Sequence, residues 1–359
     1  MEDEARAWFK RIEDDHPEAM ELFNWFKDIT LRDVARIYRL LGITFDSYAG
    51  ESFYKDKCGV VIEELREKKL LEFSEGAYVV KLDAFDMPPC ILLKSDGASI
   101  YATRDMAAAF YRKKTYDFDK CLYIVAYQQN LHFKQVFKVI ELMGYPWAKD
   151  LVHVPFGMVS FEGETLSTRK GHVVYLDEVL DRACEKALDI INEKNPELPD
   201  KQKVARQVGI GAVIFYDLFS SRIKDVDFWW DRALNFEGET GPYVQYAHTR
   251  CCSVIAKAPV CEVEKADFSV LEDEASKELI AKLEAFPSIV AEAAEKYEPS
   301  VITRYSAALA QCYNKFYFEN RILSETEPVL QARLLVTKCT RDVLKTALGL
   351  LGIAAPQKM

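Results

Sequence analysis

Leu122-Tyr-Ile-Val-Ala126, a stretch of helical period from Leu131 to Met143, and Leu151-Val-His-Val154 follow one another in this chain. The two apolar runs are of strand length, and the stretch between them spaces its apolar residues three and four apart. Strand, helix, strand in that order predicts a right-handed parallel crossover, one half of a doubly wound sheet. Open sheets of this kind bind ligands beyond the carboxyl ends of their strands. The residues just after Ala126 and Val154 are therefore the first place to look for chemistry.

Working outward, residues 1–45 read as helical, with Trp8, Phe9 and Ile12 and then Leu22, Trp25 and Phe26 at helical spacing. A further helix carries Val34, Ile37, Tyr38 and Leu41, with Gly42 as its C-terminal cap. Phe45 to Tyr54 reads as a loop or short strand, and a helix is expected near residues 57–69. Glu72 to Asp83 and Cys90 to Lys94 read as short strands on either side of Pro88-Pro89. From Leu176 onward almost everything has a period near 3.6. Val204–Leu218, Tyr243–Ala256, Glu278–Tyr297, Val301–Phe318 and Val329–Leu351 are predicted helices, the last striped by Val336, Cys339, Val343, Ala347 and Leu350. The fold class expected is thus α/β plus all-α: part of a doubly wound, Rossmann-like parallel sheet, then a helical bundle. A seam is expected somewhere in 190–240, where Asn195-Pro196 and Leu198-Pro-Asp-Lys201 break the pattern. We set the expected division at 1–195, which also holds the upstream helical connective part, and 196–359.

A chain of 359 residues, 49% of it hydrophobic, suits two well-cored domains. No apolar run approaches the roughly 18 residues of a membrane helix, and the acidic start Met1-Glu-Asp-Glu is unlike a signal peptide, so no membrane partner is expected. Nine scattered cysteines, an odd count with no Cys-x-x-Cys, argue against structural zinc, predict no bound metal and suit a reducing cytoplasm. The net charge of −10 conceals a reversal. Ala258 to Ser300 is strongly acidic, whereas from Val301 onward Arg304, Lys315, Arg321, Arg333, Lys338, Arg341, Lys345 and Lys358 outnumber the acids. That pattern reads either as two solvated helix faces of opposite sign or as a local surface for phosphates.

Three stretches carry chemistry. Tyr101-Ala-Thr-Arg-Asp105 opens a helix, with Ser95 or Asp96 before Gly97 as the expected cap. Tyr101 and Asp105, four apart, share a face; Ala102, Ala108 and Ala109 are the other helix neighbours of Asp105, so no cation on its own helix pairs with it. The choice lies between an ordinary solvated aspartate and a carboxylate that grips an incoming guanidinium through two parallel hydrogen bonds. Leu166-Ser-Thr-Arg-Lys-Gly171 puts hydroxyls and two cations in a loop after Gly157 and Gly163, as phosphate binding requires, although basic loops beside glycine are common. Phe236-Glu-Gly-Glu-Thr-Gly-Pro-Tyr-Val-Gln-Tyr-Ala-His-Thr-Arg250 feeds a helix with Pro242 in its first turn. Its Tyr243 and Tyr246 read as core aromatics or as rings offered to unstacked bases. Tyr313, Phe316, Tyr317 and Phe318, with Lys315 and Arg321, read as core plus rim.

Taken together with Gln128-Gln-Asn-Leu-His132 and the terminal Leu350-Leu-Gly-Ile-Ala-Ala-Pro-Gln-Lys-Met359, these stretches closely resemble arginyl-tRNA synthetase, a class I aminoacyl-tRNA synthetase, over essentially the whole chain. The resemblance implies an arginine–tRNA ligase that joins L-arginine to ATP, supplied with Mg2+ as substrate, and then charges tRNA-Arg. It implies that Tyr101, Asp105, Gln129 and His132 hold arginine, His132 either directly or as a hydrogen-bonded residue at a helix start. Gly157, Met158 and Val159 would border adenine. Ser167, Thr168, Arg169 and Lys170 would be this family's version of the Lys-Met-Ser-Lys-Ser loop, with Thr165 and Thr168 where the general signature has lysines. Arg169 and Lys170 are the residues implied to act on the phosphates. Tyr243, Tyr246, Arg250 and Met359 would lie against tRNA, in an anticodon-binding bundle.

One family feature is missing. The His-x-Gly-His motif for ATP is absent: three residues beyond His16, His132, His153, His172 and His248 stand Ala19, Gln135, Phe156, Tyr175 and Cys251. We therefore expect the downstream part of such an enzyme, inactive alone, monomeric, and partnered by the upstream half where that half is a separate chain. The alternative is a stand-alone tRNA-binding module without catalysis.

Overall fold

The computed structural model describes residues 2–165, 174–233, 235, 238–323 and 325–359. Two helices, α1 (Glu2–Glu13) and α2 (Pro17–Leu41), open the chain. The second runs unbroken through residues read from the sequence as two helices, and ends as expected at Gly42, in the left-handed region with φ 69°. Ala19 is its buried residue, while Trp25 and Phe26 stay 55% and 58% exposed. A 3-10 turn over Glu51–Lys57 leads into α3 (Cys58–Glu67). Next come β1 (Glu72–Ser74), β2 (Ala77–Val80) and β3 (Cys90–Lys94), an antiparallel meander. The single strand read over Glu72 to Asp83 is in fact a hairpin. Glu75 and Gly76, with φ of 49° and 83°, reverse the chain between β1 and β2 as a primed two-residue turn does.

Helix α4 (Tyr101–Tyr116) begins at Tyr101, but neither Ser95 nor Asp96 caps it. Asp96 Oδ1 instead accepts from Ala98 N at 2.9 Å, closing a local turn around Gly97, and extended Ile100 stands at the helix start without a side-chain cap. Then follows the crossover the sequence predicts: β4 (Cys121–Ala126), α5 (Asn130–Leu142) and β5 (Leu151–Phe156), the strands parallel and in register from Cys121 opposite Leu151 to Ala126 opposite Phe156. Tyr123 turns inward against Phe133 and Phe137 of α5, with ring centroids 5.2 Å apart in each pair. Leu122 and Ile124 point the other way and remain 43% and 68% exposed. Parallel sheets are ordinarily covered on both faces, so this one presents an open apolar face worth about 1.5–3 kcal/mol per large side chain once covered.

The chain continues through β6 (Val159–Phe161), β7 (Glu164–Thr165), α6 (Leu176–Lys194), α7 (Lys201–Phe219), β8 (Val226–Phe228) and the single turn α8 (Trp230–Ala233). The reading of almost everything beyond Leu176 as helical names no strand there and misses β8, which pairs in parallel with β6 from Val159–Val226 to Phe161–Phe228. Three residues are too few for alternation to show against a helical background. Four long helices complete the fold: α9 (Gly241–Lys257), α10 (Glu274–Lys296), α11 (Ser300–Glu319) and α12 (Glu327–Leu350). Thr240 and Asp273 cap α9 and α10 by accepting from Tyr243 N and Ser276 N at 3.4 and 3.0 Å, and Pro242 occupies the first turn of α9.

Of the α12 stripe read in the sequence, Val336 and Ala347 are buried and Val343 packs partly buried against the core, but the buried face is wider than that stripe. Leu330, Leu334, Thr337, Thr340, Leu344 and Leu348 face the core, whereas Cys339 and Leu350 are exposed. Thr337 and Thr340 can sit inside because their hydroxyls donate to the carbonyls of Arg333 and Val336, each at 2.9 Å, leaving the methyl groups to pack. Arg222 ties the bundle to the sheet, donating from Nε to Tyr297 O at 2.8 Å and from Nη1 to Pro155 O. Among the described residues no helix is long and apolar enough to cross a membrane.

Candidate active site and RNA-facing surface

Each residue of Tyr101-Ala-Thr-Arg-Asp105 has a separate task. Ala102 is buried in the core below α4, and the Thr103 hydroxyl donates to Leu92 O on β3. Arg104 pairs with Glu51 at 2.6 Å and with Glu13 of α1 at 3.1 Å, fixing the rotation of α4. Tyr101, 71% exposed, and Asp105, 38% exposed in its side chain, are thereby turned outward one above the other. Asp105 is not left alone, however. His132, in the first turn of α5, donates from Nε2 to Asp105 Oδ2 at 2.7 Å. His132 thus fills one acceptor position of Oδ2, leaving Oδ1 free of protein partners among the described residues and lone pairs on both oxygens for an incoming donor.

Gln129 ends the 3-10 turn Tyr127–Gln129 that leaves β4, and its side chain is exposed at the carboxyl edge of the parallel pair. Gly157 leaves β5 at the same edge, because Ala126 lies opposite Phe156. The stretch from Gly157 to Gly163 is tied down at several points. Gly157 N donates to Arg222 O at 2.7 Å, Met158 N to Asp225 Oδ1 at 2.7 Å, and Val159 pairs with Val226. Gly163, with φ 82°, turns the β6–β7 hairpin, which Asp227 staples by accepting from Gly163 N and Ser160 Oγ, each at 2.9 Å. The Gly163 amide above all holds the Asp227 carboxyl below the usual range. Ser167, Thr168, Arg169 and Lys170 lie outside the described residues.

Glycine is required at 157. A Cβ there would stand 2.2 Å from Lys224 O and 2.8 Å from Asp225 N, backbone atoms that cannot swing aside. Gly157→Ala is expected to push β5 and the 222–225 segment apart at about 1–3 kcal/mol or more, lowering the thermal midpoint by a few degrees. An unchanged melting curve would show that the contact gives way freely.

On α9, Tyr243 is half-buried against the bundle core and accepts at its hydroxyl from Asn314 Nδ2 at 2.9 Å. Tyr246 is 46% exposed. Arg250 lies between two rings, its guanidinium carbon 4.9 Å from the centroid of Tyr246 and 5.0 Å from that of Tyr317, while Nη1 donates to Asn314 Oδ1 at 2.6 Å. The sequence reading of core plus rim holds for Tyr313 and Phe316, which are fully buried, but it missed that Tyr317 joins the Tyr246 face. It missed Asn314 altogether, and nothing local marks that residue. Met359 is placed apart from this array, packed on the α6–α7 cluster with its carbonyl accepting from Asn195 Nδ2 at 3.2 Å.

Residues 1–230 match the model of the class I tRNA synthetases (R), catalytic domain, and residues 244–359 match the DALR anticodon binding domain. The chain belongs to the arginyl-tRNA synthetase family. An arginine–tRNA ligase of Clostridioides difficile is 53% identical over all 359 residues, and one of Halothermothrix orenii is 52% identical; the chain spans 63% of the length of each. Among solved structures, the arginyl-tRNA synthetase of Thermus thermophilus shares 27% identity with a TM-score of 0.81, covering 97% of this chain and 68% of its own. That of Plasmodium falciparum, at 24% identity, shows the same fold with a TM-score of 0.85 over 97% of this chain and 60% of its own.

Proposed function

We propose that this chain provides the arginine-binding and tRNA-reading portions of an ATP-dependent arginine–tRNA ligase. The meeting of Asp105 and His132 carries the reading. Two motifs 27 residues apart close one carboxylate-bearing site beside the strand edge where such sheets bind ligands. Asp105 Oδ1 and the ring of Tyr101 receive the guanidinium of arginine, and His132 holds the carboxylate in orientation. Gln129 contacts the rest of the amino acid. ATP enters with Mg2+ as substrate, its base bordered by the Gly157–Val159 backbone and its phosphates by Ser167 to Lys170. No protein nucleophile is needed, because the residues act by positioning and by stabilising charge on the departing pyrophosphate. Tyr243, Tyr246 and Arg250 meet the tRNA, Tyr317 extends their face, and Met359 meets it from its separate place beside α6 and α7. The remaining third of the relatives' length supplies the histidine pair for ATP.

We place the boundary between the two portions, 1–195 and 196–359, in the turn that separates α6 from α7, and regard the protein as cytoplasmic and monomeric. The aromatic face around Arg250 is assembled within this chain, which also favours a second reading as a tRNA-binding module. Arginine-dependent exchange of pyrophosphate into ATP separates the two. Arg169→Ala and Lys170→Ala, in a protein of the relatives' full length, are each expected to slow adenylate formation while leaving arginine binding nearly intact, since contacts to developing charge act in the transition state. Single-turnover rates equal to wild type in both variants would reduce the loop to a connector. No exchange by the unaltered full-length protein would leave the binding module.

A further inference from the structure

A cavity of about 430 Å3 opens between α9, α12 and the last residues of the chain. His248 and Cys252 enter it one turn apart on α9, and Arg341 and Lys345 one turn apart on α12. His248 is 2% exposed, and its Nδ1–H donates to Pro356 O at 2.9 Å, which fixes the ring. The nearest described partner of its other nitrogen is Cys252 Sγ at 3.8 Å, a weak contact, so Nε2 is buried at the cavity wall with little to bind. Asp342 is the one acid in the lining, and Arg341 already holds it, through Nε at 2.8 Å and Nη2 at 2.6 Å. Lys345 has no ion pair or hydrogen bond among the described residues. Gln357 adds an amide from the C-terminal segment. Two cations, one satisfied acid and a buried imidazole with a spare nitrogen make a receptor for an oxyanion.

We infer that this cavity binds a phosphate group, Lys345 and the outer face of Arg341 supplying charge and His248 Nε2 a hydrogen bond. Its source, on the reading of the chain as a tRNA-binding protein, is a backbone phosphodiester of the RNA. Tyr246 and Arg250 occupy the opposite side of α9, about 10–12 Å across, so a folded RNA covering one side brings phosphates toward the other. Burial, reinforced by Arg341 and Lys345 but offset by the Pro356 carbonyl and by Asp342, holds the empty imidazole below its ordinary range. A bound phosphate reverses that balance, so binding takes up a proton and tightens as pH falls.

The unaltered chain, titrated with inorganic phosphate and followed through the imidazole signals of its five histidines, tests this. The His248 signal is expected to move saturably and to titrate at higher pH when phosphate is present. Lys345→Ala, an exposed change that leaves the fold intact, is expected to weaken phosphate binding by about tenfold. With tRNA-Arg, the same variant is expected to flatten the salt dependence of binding by about one unit of slope. An unmoved His248 signal, or phosphate binding unaffected by Lys345→Ala, overturns the site even if tRNA still binds. Phosphate binding of the expected kind with an unchanged salt slope keeps the site but overturns RNA as its source, leaving a free phosphorylated small molecule. Failure of the chain to bind tRNA at all, with phosphate still bound, counts against the tRNA-binding reading alone.

Discussion

Asp105→Asn, in a protein of the relatives' full length, is expected to lower arginine-dependent pyrophosphate exchange by about 10²- to 10³-fold. The carboxylate stands on α4 with one oxygen held by His132 at 2.7 Å and the other open. Asparagine keeps the shape and still accepts from the imidazole, so the fold and the His132 contact survive. The negative charge opposite the guanidinium is lost, and a cation brought into a partly desolvated site without its counter-charge loses about 3–5 kcal/mol. The loss should fall mainly on the KM for arginine, with ATP binding nearly unchanged. Changes below about threefold in both KM and kcat, under 1 kcal/mol, would remove Asp105 from the arginine site.

The chain by itself is expected to charge no tRNA, yet to bind tRNA-Arg weakly and with strong salt dependence. Its parallel pair β4–β5 leaves Leu122 and Ile124 exposed on one face, and no His-x-Gly-His is present to hold ATP. The aromatic array, by contrast, is assembled: Arg250 already sits between Tyr246 and Tyr317, and each stacked base adds about 1–3 kcal/mol. Contacts to a few phosphates supply the remainder, and they weaken steeply as salt rises. Titration with tRNA-Arg and with a variant altered at the middle anticodon base decides the point. Robust charging by the chain alone refutes the expected incompleteness. Equal affinity for the two RNAs refutes base reading by the Tyr246 face.

Much of the molecule could be read along the chain. The β4–α5–β5 crossover, the cap at Gly42, the long helices of the bundle and the outward pairing of Tyr101 with Asp105 all follow from period and spacing, which act over one or two turns. The sequence reading failed where a local pattern has two outcomes or a signal is too short. Glu72 to Asp83 alternates well enough for one strand, but Glu75 and Gly76 adopt positive φ and make a hairpin. Val226–Phe228 is a strand only because β6 is there to pair with it. The α12 stripe was right at Val336, Val343 and Ala347 but did not include Thr337 and Thr340, whose hydroxyls are satisfied by the preceding turn.

The site divides in the same way. Which helix or strand end Tyr101, Asp105, Gln129 and Gly157 occupy is a local matter and was legible from the motifs. What each group touches was not. Asp105 read as a carboxylate with no partner on its own helix, which is true, but the packing of α5 beside α4 brings His132 onto it. Arg250 was read, through the resemblance, as a residue against tRNA, but its surroundings were not legible: the packing of α11 against α9 places Asn314, 64 positions away, and Tyr317 around its guanidinium. Spacing along a helix specifies a face and leaves open what faces it. The opposing partner is chosen by how helices distant in sequence pack around a shared core, and no local period encodes that choice.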